Sequence, residues 1–148
     1  MSDANSSKFK KWFSDQNIDL IQICQVFENI PGVSFFVKDT NHRLLYFNHR
    51  FLPRIGVASN DDLFGKTDFD VFPPRLAEHF RKDDRTVIET KQPLLNILEL
   101  VFNSKGLPDW YLTNKYPLFN FEGHIVGIVG TVGIVGIVGI VGRVGIVE

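Results

Sequence analysis

Val33-Ser-Phe-Phe-Val-Lys38, Asp39-Thr-Asn-His42 and Arg43-Leu-Leu-Tyr-Phe-Asn48 follow one another without interruption, and their reading decides the fold. The outer two segments are short, apolar and rich in aromatic and β-branched residues, as strands are. The middle one gathers residues that hydrogen-bond their own backbone, as turns do. Together they predict a β-hairpin. Just upstream, Pro31-Gly32 is a strong breaker pair. Before it the period is helical: Phe9, Trp12 and Phe13, then Ile18, Ile21, Val26 and Phe27, recur mostly at helix spacing. Two amphipathic helices are predicted between Phe9 and Asn29, broken near residues 14–17.

Downstream, a short helical piece from His49 to Ile55 ends at Gly56, and residues 60–72 are mixed and polar. Pro73 suits the first turn of a helix, where its missing N–H costs nothing. That helix is expected to reach Lys91 and to stop before Pro93. Leu94–Phe102, Trp110–Leu118 and Ile125–Val132 read as three consecutive strands with hairpin-length connections. Two strands, several helices, then three strands make a clustered rather than alternating order, which predicts an α+β fold on an antiparallel sheet.

At 148 residues, 44% hydrophobic and 22% charged, the chain suits one domain with a core of its own. A formal net charge of −1 supplies no field to attract nucleic acid or an anionic membrane, so neither is expected as a direct partner. Cys24 is the only cysteine, which excludes an internal disulfide and a cysteine-rich metal site. Residues 1–7 are polar and lack the apolar run of a signal peptide, and a cytoplasmic setting is expected. No nucleophile–base pair or metal-ligand spacing is legible, so enzymatic activity and a bound metal are not expected.

Four stretches in order resemble the PAS family, in particular ligand-sensing domains of bacterial signalling and transcription regulators. They are Asn29-Ile-Pro-Gly-Val-Ser-Phe-Phe-Val-Lys-Asp39; Gly65-Lys-Thr-Asp-Phe-Asp-Val-Phe-Pro-Pro74; Asp83-Asp84; and Trp110-Tyr-Leu-Thr-Asn-Lys-Tyr-Pro-Leu118 followed by Gly123-His-Ile-Val-Gly127. The resemblance implies a PAS fold, a five-stranded antiparallel sheet with helices on one face and a ligand between them. It also implies a sensory role, with an attached output domain of transcription-factor or kinase type. The expected organisation is an N-terminal helical extension at 1–17, the sensor domain at 18–132 and a Gly/Ile/Val repeat tail at 133–148. The competing reading is a structural dimerisation module with a filled core and no ligand.

Flavin-binding light sensors of this superfamily carry a reactive cysteine where this chain has Asp68, and Cys24 lies far off in an N-terminal helix, so flavin photochemistry is not expected. Haem-binding members place a histidine on the long helix facing the pocket. Here Leu76, Phe80, Val87 and Ile88 mark the apolar face and Phe80 takes that place, leaving His79 rotated by about 100°. Haem is therefore not expected, which leaves a small organic ligand or none.

The expected ligand-binding residues are Phe80, Asp84, Asn96, Trp110, Leu112 and Asn114. Asp83 or Asp84 must lie near the apolar helix face and needs a partner there, either a donor on the ligand or Arg81 or Arg85. Asn96 shares a strand face with Leu94, Leu98, Leu100 and Phe102, and Asn114 shares one with Trp110, Leu112 and Tyr116. An amide on a buried face must be hydrogen-bonded, to a ligand, a water or the neighbouring strand. Phe9, Trp12 and Phe13 fall outside the sensor core and predict a homodimer through the N-terminal helices. From Gly127 onward glycine recurs at nearly every third residue; the first part fits a last strand, and the rest fits neither helix nor strand, nor collagen, nor a phosphate loop.

Overall fold

The computed structural model describes residues 7–16, 19–102 and 105–135; the side chains of Phe13, Leu20 and Phe102 also lie outside the described residues. Two helices open the chain, α1 (Ser7–Asp15) and α2 (Leu20–Glu28). Asp19 starts α2 by accepting a hydrogen bond from the Ile21 N–H at 2.9 Å. Then come the predicted hairpin strands β1 (Val33–Asp39) and β2 (Leu44–Phe47). Their turn is an Asx turn: the Asp39 carboxylate accepts from the Asn41 and Arg43 N–H groups, each at 2.9 Å.

A 3-10 turn (Leu52–Ile55) follows and ends at Gly56, which takes a left-handed φ of 71°. The polar segment at 60–72 resolves into two single-turn helices, α3 (Asn60–Leu63) and α4 (Asp68–Val71). Ser59 caps the first, and a Thr67–Asp70 capping box starts the second. Next is the long helix α5 (Pro74–Thr90), closed by Lys91 at φ 57°. Strands β3 (Leu94–Phe102), β4 (Pro108–Phe119) and β5 (Ile125–Ile134) complete the chain.

The five strands form one sheet in the order β2-β1-β5-β4-β3, with every neighbouring pair antiparallel. The last strand lies beside the first, so glycines of the repeat, including Gly127 and Gly130, sit at the sheet centre. The tail at 136–148 lies outside the described residues. Helices α3, α4 and α5 pack over one face, here the inner face. The core there comprises Phe36, Leu44, Phe47, Leu52, Val57, Leu63, Val87 and Ile128. Burying each large side chain contributes about 1.5–3 kcal/mol. Helix α2 docks on the opposite, outer face, where Phe27 stacks on Phe35 at 4.6 Å. Asn48 clamps that contact, donating to the Phe27 carbonyl at 2.8 Å and accepting from the Phe35 N–H. Among the described residues, no helix is long and apolar enough to cross a membrane.

Candidate functional site

Between the inner sheet face and helices α4 and α5 lies a cavity of about 960 Å³. Its walls are mostly apolar: Phe36, Phe47, Phe51 and Val132 below, Val71, Phe72, Leu76 and Phe80 above. Strand alternation selects the inward sheet residues. Opposed antiparallel residues share a face, so the pairings Glu99↔Tyr111, Thr113↔Val132, Lys115↔Gly130 and Phe36↔Gly130 put Glu99, Tyr111, Thr113, Lys115 and Phe36 on the cavity side.

The cavity floor is charged. Lys38 Nζ lies 2.6 Å from an Asp68 carboxylate oxygen and 2.7 Å from Asp84 Oδ2, while Lys115 Nζ takes Asp84 Oδ1 at 2.7 Å. All four side chains are almost wholly buried. Burial pushes the Asp84 carboxyl up, but Lys38 and Lys115 outweigh it and hold the group below its ordinary value. Burial likewise works against the Lys38 ammonium, and Asp84 and Asp68 keep its pKa above the usual one. The Phe80 ring covers the network, 5.4 Å from Lys115 Nζ and 6.0 Å from Lys38 Nζ, and meets Phe72 edge-on at 5.1 Å.

Two polar groups on the cavity side remain unsatisfied among the described residues, Thr113 Oγ1 and Glu99 Oε1. Burial raises the Glu99 carboxyl to about 7, against the opposing pull of Lys115. Nearer the mouth, Arg54 donates to the Tyr111 hydroxyl at 2.8 Å.

Of the six expected site residues, Phe80 lines the cavity and Asp84 lies buried beneath it. Asp84 is held by Lys38 and Lys115, which the sequence reading did not foresee, rather than by Arg81 or Arg85. The other four require a correction. Trp110, Leu112 and Asn114 alternate with Tyr111, Thr113 and Lys115 and so face outward. Asn96 sits in a β-bulge between Leu94 and Ile97 at φ 58°, exposed, which reverses the strand's parity midway. The Asn114 amide is satisfied by the two neighbouring strands: its Oδ1 accepts from the Asn96 backbone N–H at 2.8 Å, and its Nδ2 donates to Thr131 Oγ1 at 3.4 Å.

The outward face is the more apolar one, whereas the inward set Tyr111, Thr113 and Lys115 carries the polar groups. The missed signal was a lysine in register with inward aromatics: Lys38 with Phe36, and Lys115 with Tyr111. Asp68, which stands where the resemblance places a flavin-reactive thiol, is instead tied to Lys38.

Comparison with known proteins agrees with this architecture. A family model described as the PAS fold matches residues 27–133. A diguanylate cyclase of Vibrio cholerae serotype O1 (strain ATCC 39541 / Classical Ogawa 395 / O395) is 26% identical over 124 residues, which is 83% of this chain and 37% of that protein. The chain therefore spans little more than a third of that relative. Among solved structures, a Vibrio cholerae VqmA–ligand–DNA complex superposes with a TM-score of 0.67 at 28% identity, over 80% of this chain and 52% of that one. VqmA bound to DPO gives 0.66 at 27% identity, over 77% and 57%.

Proposed function

The chain belongs to the PAS family, and from that premise we propose that it is a sensory module that binds a small organic ligand between α5 and the sheet, dimerises, and regulates an attached output domain without catalysing a reaction. The observation that carries the reading is the cavity itself: about 960 Å³, walled by aromatic and aliphatic side chains, with a few convergent polar groups. That is the usual design of a small-molecule site. Thr113 Oγ1 and Glu99 Oε1 supply hydrogen-bonding capacity that the described residues leave unused. A filled-core dimerisation module has no use for such a space.

The likeness to VqmA, solved with ligand and DNA, favours an output of transcription-factor type over a kinase. Asp68, engaged with Lys38, stands in place of the flavin-reactive thiol, which disfavours flavin; on α5 both Phe80 and His79 line the cavity, so the helix face alone does not set His79 apart from it. The free Cys24 fits a reducing, cytoplasmic setting. The dimer reading rests on Phe9 and Trp12, exposed on α1; Phe13, the third residue of that patch, has its side chain outside the described residues. Native mass spectrometry of freshly purified protein tests the ligand reading: a retained small mass released on denaturation is expected. Ligand-free protein from cells and from an added metabolite extract alike would count against it.

A further inference from the structure

His79 and Asp83 stand one turn apart on α5, and Glu99 faces them from the middle of β3. His79 Nε2 lies 3.5 Å from Asp83 Oδ2, and one ligand atom from each of the three residues lies within 4.8 Å of the others. Glu99 is only 6% exposed, yet its Oε1 has no hydrogen-bond partner, and neither has Asp83 Oδ2, among the described residues. A buried polar oxygen left without a hydrogen-bond partner, as Glu99 Oε1 is among the described residues, is costly, and native structures seldom keep one without a purpose. Three of the nearby cations have other contacts. Lys38 and Lys115 are matched by Asp68 and Asp84, and Arg81 stacks on the Phe69 ring at 4.7 Å.

We propose that His79, Asp83 and Glu99 bind a divalent transition-metal ion of the zinc type at the edge of the cavity. One imidazole nitrogen with two carboxylate oxygens is a donor set that zinc and its first-row neighbours accept; the imidazole disfavours magnesium and calcium, and the lack of thiolate or thioether disfavours copper(I). Tetrahedral zinc with bonds of about 2 Å needs donors nearer one another than the present spread of up to 4.8 Å, so binding requires side-chain rotation by the carboxylates as well as by the exposed imidazole. Three protein ligands leave a fourth position. Because His79 and Glu99 both line the cavity, that position opens towards it, within reach of a donor atom on a cavity ligand. The sequence shows no such site because the third ligand comes from a strand, sixteen residues beyond Asp83.

The test uses zinc chloride alone, titrated calorimetrically into the full chain after chelation and dialysis near neutral pH. Saturable binding of one ion per chain is expected. His79→Ala and Glu99→Gln should each weaken it by about tenfold or more, since even residues behind the ligands cost that much in other sites. Zinc should raise the melting temperature of the parent protein and of His49→Ala and His124→Ala, but not of the two site variants. If Glu99→Gln does not fold, Asp83→Asn and His79→Ala, on the accessible side of the cluster, carry the comparison. No saturable binding, affinity unchanged in His79→Ala and Asp83→Asn, or binding lost in His49→Ala or His124→Ala overturns the proposal. Zinc is measured without an organic ligand, so failure here is distinct from failure of the sensory reading.

Discussion

The ring of Phe36 on β1 lies against its paired residue Gly130 on β5, so closely that a Cβ at Gly130 would come within 3.0 Å of two ring carbons. The same Cβ would lie 2.9 Å from the Asn114 carbonyl oxygen on the other side. Phe36 is buried and packed on Phe47 with ring centroids 5.4 Å apart, so the ring has little room to retreat. Gly130→Ala should therefore destabilise the domain by about 1–3 kcal/mol, the usual cost of overpacking. Urea unfolding checks this, and an unchanged midpoint would show that the ring gives way freely.

Asp84 should be the residue whose neutralisation costs most. Asp84→Asn strands two buried ammonium groups, and breaking a buried ion pair from one side costs about 3–5 kcal/mol. Its pH dependence has a definite sign. The folded-state pKa is held below the unfolded value, so this stability is present above the ordinary carboxylate pKa of about 3.9 and is lost as pH falls through the folded value. Denaturation midpoints measured from neutral pH downward should fall on that acid limb for the parent protein and less steeply for Asp84→Asn.

The correction of the sheet face makes a paired prediction. Thr113→Val removes an inward hydroxyl with no hydrogen-bond partner among the described residues and should weaken ligand binding while leaving stability nearly unchanged. Asn114→Leu, on the outer face, should leave binding unchanged and disturb only the bulge at Asn96. Binding lost in Asn114→Leu and kept in Thr113→Val would put the ligand on the other side of the sheet.

Phe80 links the cavity wall to the charged floor. Phe80→Ala removes its edge contact with Phe72 and uncovers Lys38 and Lys115. The ring is only half-buried, so the expected loss is about 1–3 kcal/mol, less than for a fully buried phenylalanine. Ligand affinity should change as the cavity enlarges; affinity equal to the parent's would remove Phe80 from the site.

The N-terminal helix offers a simpler measurement. Trp12 is 54% exposed and Phe9 is 46% exposed on α1, and Ile21 and Val26 on α2 are exposed as well. Deleting residues 1–16 should shift the protein towards monomer in light scattering with the sheet intact by circular dichroism. An unchanged mass would move the interface elsewhere.

What the sequence determined by itself is the order and type of the elements. The hairpin at 33–48, the helix ending before Pro93 and the three closing strands all follow from local signals, namely turn chemistry, breakers and hydrophobic period, which act between residues near in sequence. The family resemblance at 29–39 and 65–74 rests on the same local residues. Which face of β3 and β4 looks inward was decided only by the tertiary structure. An alternating strand presents two candidate faces, and here the more apolar one lies outside, partly exposed, while Tyr111, Thr113 and Lys115 point in. A bulge at Asn96 then reverses the parity of β3, and no local pattern announces it. The partners of Asp84 were equally out of reach. Lys38 and Lys115 lie 46 and 31 residues away along the chain, and they meet the carboxylate only because β1, β4 and α5 converge on one cavity floor. A buried charge is stable only with its counter-charges in place, and it takes the folded sheet to bring them there.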